Sequence, residues 1–340
     1  MPPAEVAAAP SPAALFDAIN GFQRTAAIKT AIELDVFSHI AAGADTPAAL
    51  AGACHASARG LRILVDSLAV LGLLHKDGAQ YRLTPDSAVF LDRRSPAYLG
   101  SIAEFLTSTV NLDAFAKLTA AVRQGGTALA GEPAMQPDSP VWTNFARSMA
   151  ALQRPAAHAL AELLLPKPGG RCKVLDIAAG HGLFGIAMAQ RNPEAEVYAL
   201  DWPQVLSVAR ENAAAAGVTD RMHWIPGSAF EADLGADYDW VLLPNFLHHF
   251  DAATCEGLLR RVRAALAPEG ETAVLEFVVE DNRLQPPQSA LFSLIMLATT
   301  PAGDAYTYAE LDAMLRAAGF SETELHPLPP GFQRVVIATP

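Results

Sequence analysis

The chain has 340 residues, which favours two domains at the usual size of about 100–200 residues each. Hydrophobic residues make up 51% and charged residues 18%, a balance that argues against extensive disorder and predicts packed globular domains. The formal net charge of −12 would repel a phosphate backbone, so the composition argues against nucleic acid as a main partner.

The chain carries no signal for oxidative folding, export or membrane insertion. Cys54, Cys172 and Cys255 lie far apart without a Cys-x-x-Cys pair, so neither a disulfide framework nor a zinc site is predicted. Residues 1–13 lack the features of a signal peptide and are predicted to form a disordered leader. The most apolar stretch, residues 290–298, is shorter than the about 20 residues that cross a bilayer. These features favour a soluble, cytoplasmic protein.

Residues 14–95 are predicted to form a mostly helical, winged-helix-like domain. Apolar residues recur at steps of three and four, a Thr-Pro pair at 46–47 starts a short helix, and a second helix covers about residues 57–71. Asp77-Gly78 then lies between two alternating stretches, which is typical of a tight β-hairpin.

A winged helix often binds DNA, so one alternative for the whole chain is a transcriptional regulator that senses a metabolite. The second helix of the pattern carries only two cationic residues, Arg59 and Arg62, which are few for binding the phosphates of DNA. The sequence therefore disfavours the regulator.

Residues 96–168 are predicted to form a helical connecting region that contributes to a substrate pocket. A Gly/Pro-rich passage interrupts it at 125–140. The clearest linker follows at 166–170, where two prolines and two glycines fall together. This linker predicts a domain boundary near residue 168.

Residues 169–340 are predicted to form an α/β domain. Helical stretches alternate there with five strand-like segments, KVLDIAA, EVYALD, MHWIPG, WVLLP and TAVLEFVV, as in a parallel sheet with helices on both faces. After a helix over about 308–318, TELHPL and QRVVIAT are separated by Pro-Pro-Gly and predict an antiparallel hairpin at one edge. The predicted fold class is α/β with a Rossmann-like sheet and this C-terminal hairpin.

A glycine-rich turn follows the first strand of that sheet. Gly180 and Gly182 precede a helix that begins near Leu183, where backbone without Cβ can approach a ligand closely. With Gly185 they satisfy the dinucleotide pattern GxGxxG, and Asp201 ends the next strand about 20 residues later, placed to bind ribose hydroxyls. These residues suit NAD and adenosine alike, so a nicotinamide-dependent oxidoreductase stays an alternative.

Asp176, at the end of the first strand, distinguishes the two ligands. Its carboxylate would lie where a pyrophosphate must lie, and like charges repel. S-adenosylmethionine carries adenosine, a cationic sulfonium and an ammonium group, but no phosphate. The sequence therefore favours S-adenosylmethionine as cofactor, with simple loop capping by Asp176 as the alternative.

These motifs resemble the class I S-adenosylmethionine-dependent methyltransferases, and within them the small-molecule O-methyltransferases of the caffeate and acetylserotonin type. VLDIAAGHG is similar to the family's VLDxGxGxG, with Asp176, Gly180 and Gly182 matching and Ala178 standing where glycine is usual. The resemblance implies that the winged-helix-like domain is a dimerisation domain of an intertwined homodimer, which explains its few basic residues.

The resemblance extends to the adenosine end of the site. ALDWPQV is similar to the family's DLPxV segment, so Asp201 matches the ribose-binding acid and Trp202 would flank the adenosine. GSAF resembles GDMF, in which the aspartate holds the adenine amino group and the methionine packs on the ring. Ser228 and Ala229 replace those two residues, and Phe230 matches the phenylalanine. A serine hydroxyl can still accept one hydrogen bond, and an ordinary turn is the alternative.

Methyl transfer to a hydroxyl calls for a base, and a histidine with a pKa near about 6.5 suits this task. LLPNFLHHFD resembles the family's LKWxxHDW, which aligns His248 with the catalytic histidine, His249 with the aspartate and Pro244 with the lysine. Glu276 matches the acid that orients the imidazole, whereas the second flanking acid falls at Ala305, next to an aspartate. The candidate catalytic residues are thus His248 and Glu276.

Adjacent residues point in different directions, so at most one histidine of the pair can face the methyl group. Similar histidine pairs occur in methyltransferases that use no base. A C- or N-methyltransferase of the same fold, acting by proximity, therefore stays open as an alternative.

The acceptor pocket is predicted from two apolar helices. Phe145 and Met149 match an aromatic and methionine pair of the family and share one helical face at a spacing of four. Phe292 and Met296 in SALFSLIMLATT can line a cavity for a small apolar acceptor, with an aromatic one favoured. Core packing and contact with a dimer partner are the alternatives for these residues. No motif in the chain calls for a metal.

Overall fold

The computed structural model describes residues 10–130, 140–165, 169–329 and 331–340. The chain divides into two compact units, Met1–Thr107 and Ser108–Pro340. The predicted domain limits at 13, 95 and 168 stay predictions. Part of the predicted leader, the interruption over 131–139 and the linker residues 166–168 lie outside the described residues.

The first unit is helical with one β-hairpin, as the sequence predicts. Thr46 and Ser57 cap two helices, because their hydroxyls accept the backbone N–H groups of Ala49 and Gly60. The hairpin is antiparallel, and its turn is formed by Gly78 and Ala79, between the paired residues Asp77 and Gln80. The elements of this unit are α1 (Ala13–Ile19), α2 (Gly21–Glu33), α3 (Val36–Ala41), α4 (Pro47–Ala53), α5 (Ala58–Val70), β1 (Leu74–Asp77), β2 (Gln80–Leu83), α6 (Pro85–Phe90) and α7 (Gly100–Leu106).

Helix α5 supplies one face to the core of this unit. Leu61, Val65 and Leu68 recur at steps of four and three and are buried. They belong to one cluster with Phe37 of α3 and Tyr81 of β2. The wing-like hairpin is thereby packed against the helices.

The second unit is built on a seven-stranded sheet of order β5-β4-β3-β6-β7-β9-β8. Strands β3 to β7 pair in parallel, whereas β9 runs antiparallel to both β7 and β8. The predicted fold class, including the C-terminal hairpin, is confirmed. The strands are β3 (Cys172–Ile177), β4 (Ala195–Asp201), β5 (Met222–Pro226), β6 (Tyr238–Pro244), β7 (Leu266–Glu276), β8 (Glu322–Pro327) and β9 (Arg334–Thr339).

Helices accompany the sheet, and two short 3-10 turns, Thr219–Arg221 and Leu247–His249, join its strands to helices. The helices of this unit are α8 (Thr109–Ala116), α9 (Leu118–Gln124), α10 (Pro140–Leu164), α11 (Leu183–Arg191), α12 (Pro203–Ala216), α13 (Ala252–Ala265), α14 (Pro287–Thr299) and α15 (Tyr308–Ala317). Among the described helices, none is both long and apolar enough to cross a membrane.

The central strand β3 is buried on both faces, which explains its nearly continuous apolar sequence. Val174 belongs to a cluster with Leu160 and Ile186, whereas Leu175 belongs to a cluster with Leu258 on the other face. Successive side chains thus enter two different cores. This packing holds the carboxyl ends of β3, β4 and β6 together at one edge, where ligands bind in open α/β sheets.

We expect Leu175→Ala to lower the free energy of unfolding by about 2–5 kcal/mol, because it opens a cavity beneath a fully buried strand. Urea denaturation followed by circular dichroism measures the change. Leu284→Ala, the same substitution at an exposed site of the same unit, should have a small effect. Equal losses in both variants would contradict the assignment of β3 to the centre of the core.

Candidate active site

A cavity of about 430 Å³ lies at the carboxyl ends of β3 to β6. Its walls come from the loops after these strands and from helix α10. This volume lies in the range of small-molecule sites. The residues predicted for cofactor or acceptor that line it are Phe145, Gly180, Asp201, Trp202, Ser228, Ala229 and Phe230.

The two glycines of the loop after β3 and Gly185 in the first turn of α11 have different roles. Gly180 lines the cavity with φ +58°, and a Cβ there would meet no atom closer than 3.8 Å. A Cβ on Gly182, with φ +74°, would come within 2.8 Å of Ala209 Cβ, and one on Gly185 within 2.6 Å of Val197 Cγ1. Gly182 and Gly185 therefore allow close packing around α11, whereas Gly180 leaves free space at the cavity wall, and its contact with a cofactor stays a prediction.

Asp201 connects this loop with the end of β4. Its Oδ2 accepts the backbone N–H of Gly180 at 2.8 Å, and its Oδ1 accepts that of Trp202 at 2.7 Å. Burial raises the pKa of Asp201 to about 6, against the opposing effect of these two bonds. Each carboxylate oxygen retains a lone pair, so the group can also accept ribose hydroxyls from the cavity.

Asp176 lies deeper than the sequence suggests. The side chain is fully buried and does not line the cavity, and its Oδ2 accepts the backbone N–H of Gly185 at 3.0 Å. Oδ1 has no hydrogen-bond partner among the described residues. Burial, with a smaller effect of the charge on Asp201, raises the pKa of Asp176 to about 7. Direct contact of Asp176 with a cofactor stays a prediction.

In the same loop, Ala178 stands where the family usually has glycine. This residue lines the cavity with φ +54°, the left-handed region in which glycine has no steric penalty. Such a conformation costs an alanine about 1–2 kcal/mol. The loop therefore keeps the bend that glycine would allow, at some cost in stability.

An aromatic cluster forms the wall near the end of β5. The Phe250 ring meets Phe230 and Phe246 edge to face, with centroids 4.9 and 5.0 Å apart. Ser228 lies in the same wall, and its Oγ accepts the backbone N–H of Phe230 at 3.2 Å. Sequence reasoning missed Phe246 and Phe250, although both flank the histidine pair.

His248 and Glu276 form a buried pair behind this cavity. His248 Nδ1 lies 2.6 Å from Glu276 Oε2, and the two side chains are 5% and 3% exposed. Glu276 Oε1 also accepts the backbone N–H groups of Phe246 and His248, at 3.0 and 3.3 Å. One carboxylate thus orients both the loop and the ring. With Nδ1–H donating to Glu276, Nε2 is the ring atom that can take a proton.

His249, not His248, lines the cavity. Its ring centroid lies 4.3 Å from that of His248 and 5.4 Å from that of Trp142, which it meets edge to face. Burial, reinforced by the neighbouring His248, lowers the pKa of His249 well below its usual value. A neutral imidazole therefore stands where the family has an aspartate.

The second acid that flanks the histidine in the family has no counterpart at this position. Ala305 is buried, and the adjacent Asp304 pairs with Arg283 at 3.1 Å between Oδ2 and Nη1. A Cβ on Gly303 would come within 2.2 Å of the His248 carbonyl oxygen, so this loop contacts the backbone of His248. Glu276 supplies the carboxylate contact of this imidazole.

Aromatic rings pack around the other side of His248. The Phe292 ring lies edge to face with His248 at 4.8 Å and stacks on Phe277 at 3.9 Å. Met149 and Met296 are buried and do not line the cavity. The structure thus brings Phe292 to the histidine and Phe145 to the cavity, and the acceptor roles of all four residues stay predictions.

Sequence reasoning also missed two polar residues of the cavity wall. Gln153 of α10 is 8% exposed, and within the described part of the chain its Oε1 has no hydrogen-bond partner. His181 accepts the backbone N–H of Leu183 through Nδ1, and burial, with a smaller effect of Arg154, lowers its pKa to about 4. Gln153 follows Met149 by four residues on the same helix, a spacing that could have indicated it.

Two family models match this chain. An O-methyltransferase domain covers residues 115–321, and an O-methyltransferase dimerisation domain covers residues 16–93. The chain belongs to the O-methyltransferase family. The predicted class, an S-adenosylmethionine-dependent O-methyltransferase with an N-terminal dimerisation domain, is confirmed.

Individual relatives agree with this assignment. The chain is 29% identical to the tetracenomycin polyketide synthesis 8-O-methyltransferase of Streptomyces glaucescens, with 88% of this chain and 89% of that protein covered. It is 31% identical to acetylserotonin O-methyltransferase of Mus musculus, with 92% and 84% covered. A solved protein of Nostoc punctiforme assigned to the O-methyltransferases is 51% identical, with 97% and 99% covered and a TM-score of 0.92.

We expect Asp176→Asn to change how stability depends on pH. Burial raises the pKa of Asp176 to about 7, so the folded protein holds a proton that the unfolded chain releases above its ordinary pKa of about 4. This carboxyl therefore makes the wild type less stable as pH rises from about 4 to about 7. The amide of the variant cannot titrate, so the stability of the variant relative to wild type should increase across that window.

Urea unfolding of the cofactor-free protein at successive pH values measures this difference. Asp281→Asn, at an exposed position, serves as the control and should give no such trend. A difference between Asp176→Asn and wild type that is independent of pH would mean that Asp176 is ionised in the folded protein.

Proposed function

We propose that this enzyme methylates a hydroxyl group of a small aromatic metabolite and uses His248 as general base. The observation that carries the proposal is the contact of 2.6 Å between His248 Nδ1 and Glu276 Oε2 in a buried setting beside the cavity. The relatives of this chain include O-methyltransferases named for a hydroxylated naphthoate and for acetylserotonin, which supports an aromatic acceptor.

The residues of the cavity fit S-adenosylmethionine. Asp201 can accept the ribose hydroxyls, and Phe230 with its aromatic neighbours offers faces and edges to the adenine ring. The amino-acid end of S-adenosylmethionine would then lie beside Gly180 and Gln153. The buried Oε1 of Gln153 can accept hydrogen bonds from the ammonium group. When bound, the cofactor supplies a methyl group activated by its sulfonium.

The acceptor would lie against the aromatic rings that surround His248. Phe292 and Phe277 present a stacked pair next to the imidazole, and Trp142 and Phe145 extend the apolar wall on the side of α10. Such rings favour a flat, apolar molecule over a charged or branched one. The proposed substrate class follows from these rings beside His248 and in the cavity wall.

His248 Nε2 would accept the proton of the acceptor hydroxyl while the hydroxyl oxygen received the methyl group that the bound cofactor would supply, the carbon–sulfur bond breaking to leave a neutral thioether. Glu276 holds Nδ1–H and stabilises the imidazolium that results. The backbone bonds from Phe246 and His248 to the same carboxylate hold the loop in place, so little reorganisation accompanies the transfer.

We also propose that the enzyme is a homodimer formed through its first unit. The family's dimerisation domain covers residues 16–93. Helices α1 and α2 expose apolar side chains that a partner would cover, namely Leu15, Phe16, Ile19 and Phe22, which are 58–67% exposed.

We expect His248→Gln to lower kcat by about 10²–10⁴-fold, because the variant lacks the base, while the affinity for S-adenosylhomocysteine stays the same. An acceptor is first chosen from hydroxynaphthoates and hydroxyindoles by mass spectrometry with isotopically labelled methyl donor. Glu276→Gln should lower kcat less, because His248 remains as the base while the imidazolium that forms loses its carboxylate partner.

His326→Gln is the matched control, since His326 also lies near a glutamate but in the edge strand β8. Turnover should be unchanged in this variant. Unchanged turnover in His248→Gln would instead favour transfer by proximity, including C- or N-methylation.

We expect Gln153→Leu to weaken the binding of S-adenosylmethionine about tenfold, because the substitution removes a buried acceptor from the amino-acid end of the site. The affinity for 5′-methylthioadenosine, which lacks that end, should not fall. Calorimetric titration with both molecules measures the difference, and equal losses for both would contradict the assignment of Gln153.

A further inference from the structure

The adenine end of the cavity lacks the carboxylate that the family resemblance leads one to expect. Ser228 stands at that position, and its hydroxyl already accepts the backbone N–H of Phe230 at 3.2 Å. A neutral hydroxyl is also a weaker acceptor than a carboxylate. The hydroxyl keeps one lone pair, so Ser228 can offer the exocyclic amino group of adenine at most one further, neutral hydrogen bond, and a charged acceptor nearby would bind that group more strongly.

A short helical turn begins at Ser228, so the residue three positions later lies on the same face of the turn as Ser228. The backbone N–H groups of Glu231 and Ala232 donate to the Ser228 carbonyl oxygen at 3.1 and 2.9 Å. Residues three apart in such a turn lie on one face. The side chain of Glu231 is thus placed next to Ser228, and both residues line the cavity.

This turn is held at both ends. Gly227 N–H donates to the Asp201 carbonyl oxygen at 3.0 Å, which joins the turn to the strand that carries the ribose-binding acid. The Arg261 guanidinium of α13 donates to the carbonyl oxygen of Ala229 at 2.6 Å and to that of Ala232. A turn held in this way positions a side chain with little loss of entropy on binding.

Glu231 has a carboxylate available for a ligand. The residue is exposed at the rim of the cavity, and no hydrogen bond or ion pair engages its side chain within the described ranges. We propose that Glu231 recognises the exocyclic amino group of adenine, three positions after the residue that does so in the family. This inference rests on the proposed use of S-adenosylmethionine.

The proposal has a consequence for base selectivity. A carboxylate accepts from the amino group of adenine but has no hydrogen to donate to the carbonyl oxygen that replaces that group in hypoxanthine. A glutamine can accept from the amino group or donate to the carbonyl oxygen. Selectivity for adenine should therefore depend on the negative charge at this one position.

The experiment is calorimetric titration of the full-length protein with S-adenosylhomocysteine and with S-inosylhomocysteine, its hypoxanthine counterpart. We expect the wild type to bind the adenine compound at least about tenfold more tightly. Glu231→Gln should bring the ratio of the two dissociation constants close to one, and Glu231→Ala should weaken the adenine compound about tenfold. The exposed position of Glu231 makes both variants compatible with folding.

Glu269→Gln, the same change at an exposed position near the start of β7, is the matched control and should keep the wild-type ratio. If Glu231→Gln binds S-adenosylhomocysteine tightly and keeps the wild-type ratio of the two dissociation constants, the role of Glu231 is overturned. The proposed methyl transfer would stand in that case. Failure of the wild type to bind either compound would overturn both.

Discussion

The proposed chemistry depends on the hydrogen bonds that the buried Glu276 carboxylate accepts. This carboxylate accepts the hydrogen on His248 Nδ1 and two backbone N–H groups, and it is almost fully buried. A buried charge without such bonds would cost several kcal/mol, on the order of the whole stability of a domain. Three bonds on one group make this burial tolerable, and they also define the loop between β6 and α13.

The arrangement of β6 and β7 makes these bonds possible. The two strands are parallel neighbours, so the loop after one meets the last residue of the other at the same edge of the sheet. Asn245 adds a backbone bond to Leu275 at 2.8 Å, which holds the start of the loop against β7. The site is thus a product of strand order as much as of side-chain chemistry.

Charge is distributed unevenly around the cavity. The acidic groups in its wall are Asp201 and Glu231, to which we assign the ribose and the adenine, whereas His249 and His181 of the same wall are neutral imidazoles. Burial keeps both rings uncharged. A cationic methyl carrier is compatible with this distribution, since nothing in the described wall opposes it with a like charge.

Local signals in the sequence determined the elements and the family. Caps, turns and strand periodicity act over a few residues, so a short stretch of sequence is enough to show them. Examples are the cap at Thr46, the turn at Asp77-Gly78 and the loop after β3. The tertiary structure alone decided how adjacent residues divide their tasks. His248 turns to Glu276 and His249 to the cavity, Asp176 is buried beneath the loop that comes after it, and Gln153 reaches the wall from a distant helix. Side-chain direction and depth depend on packing between remote segments, which no local pattern encodes.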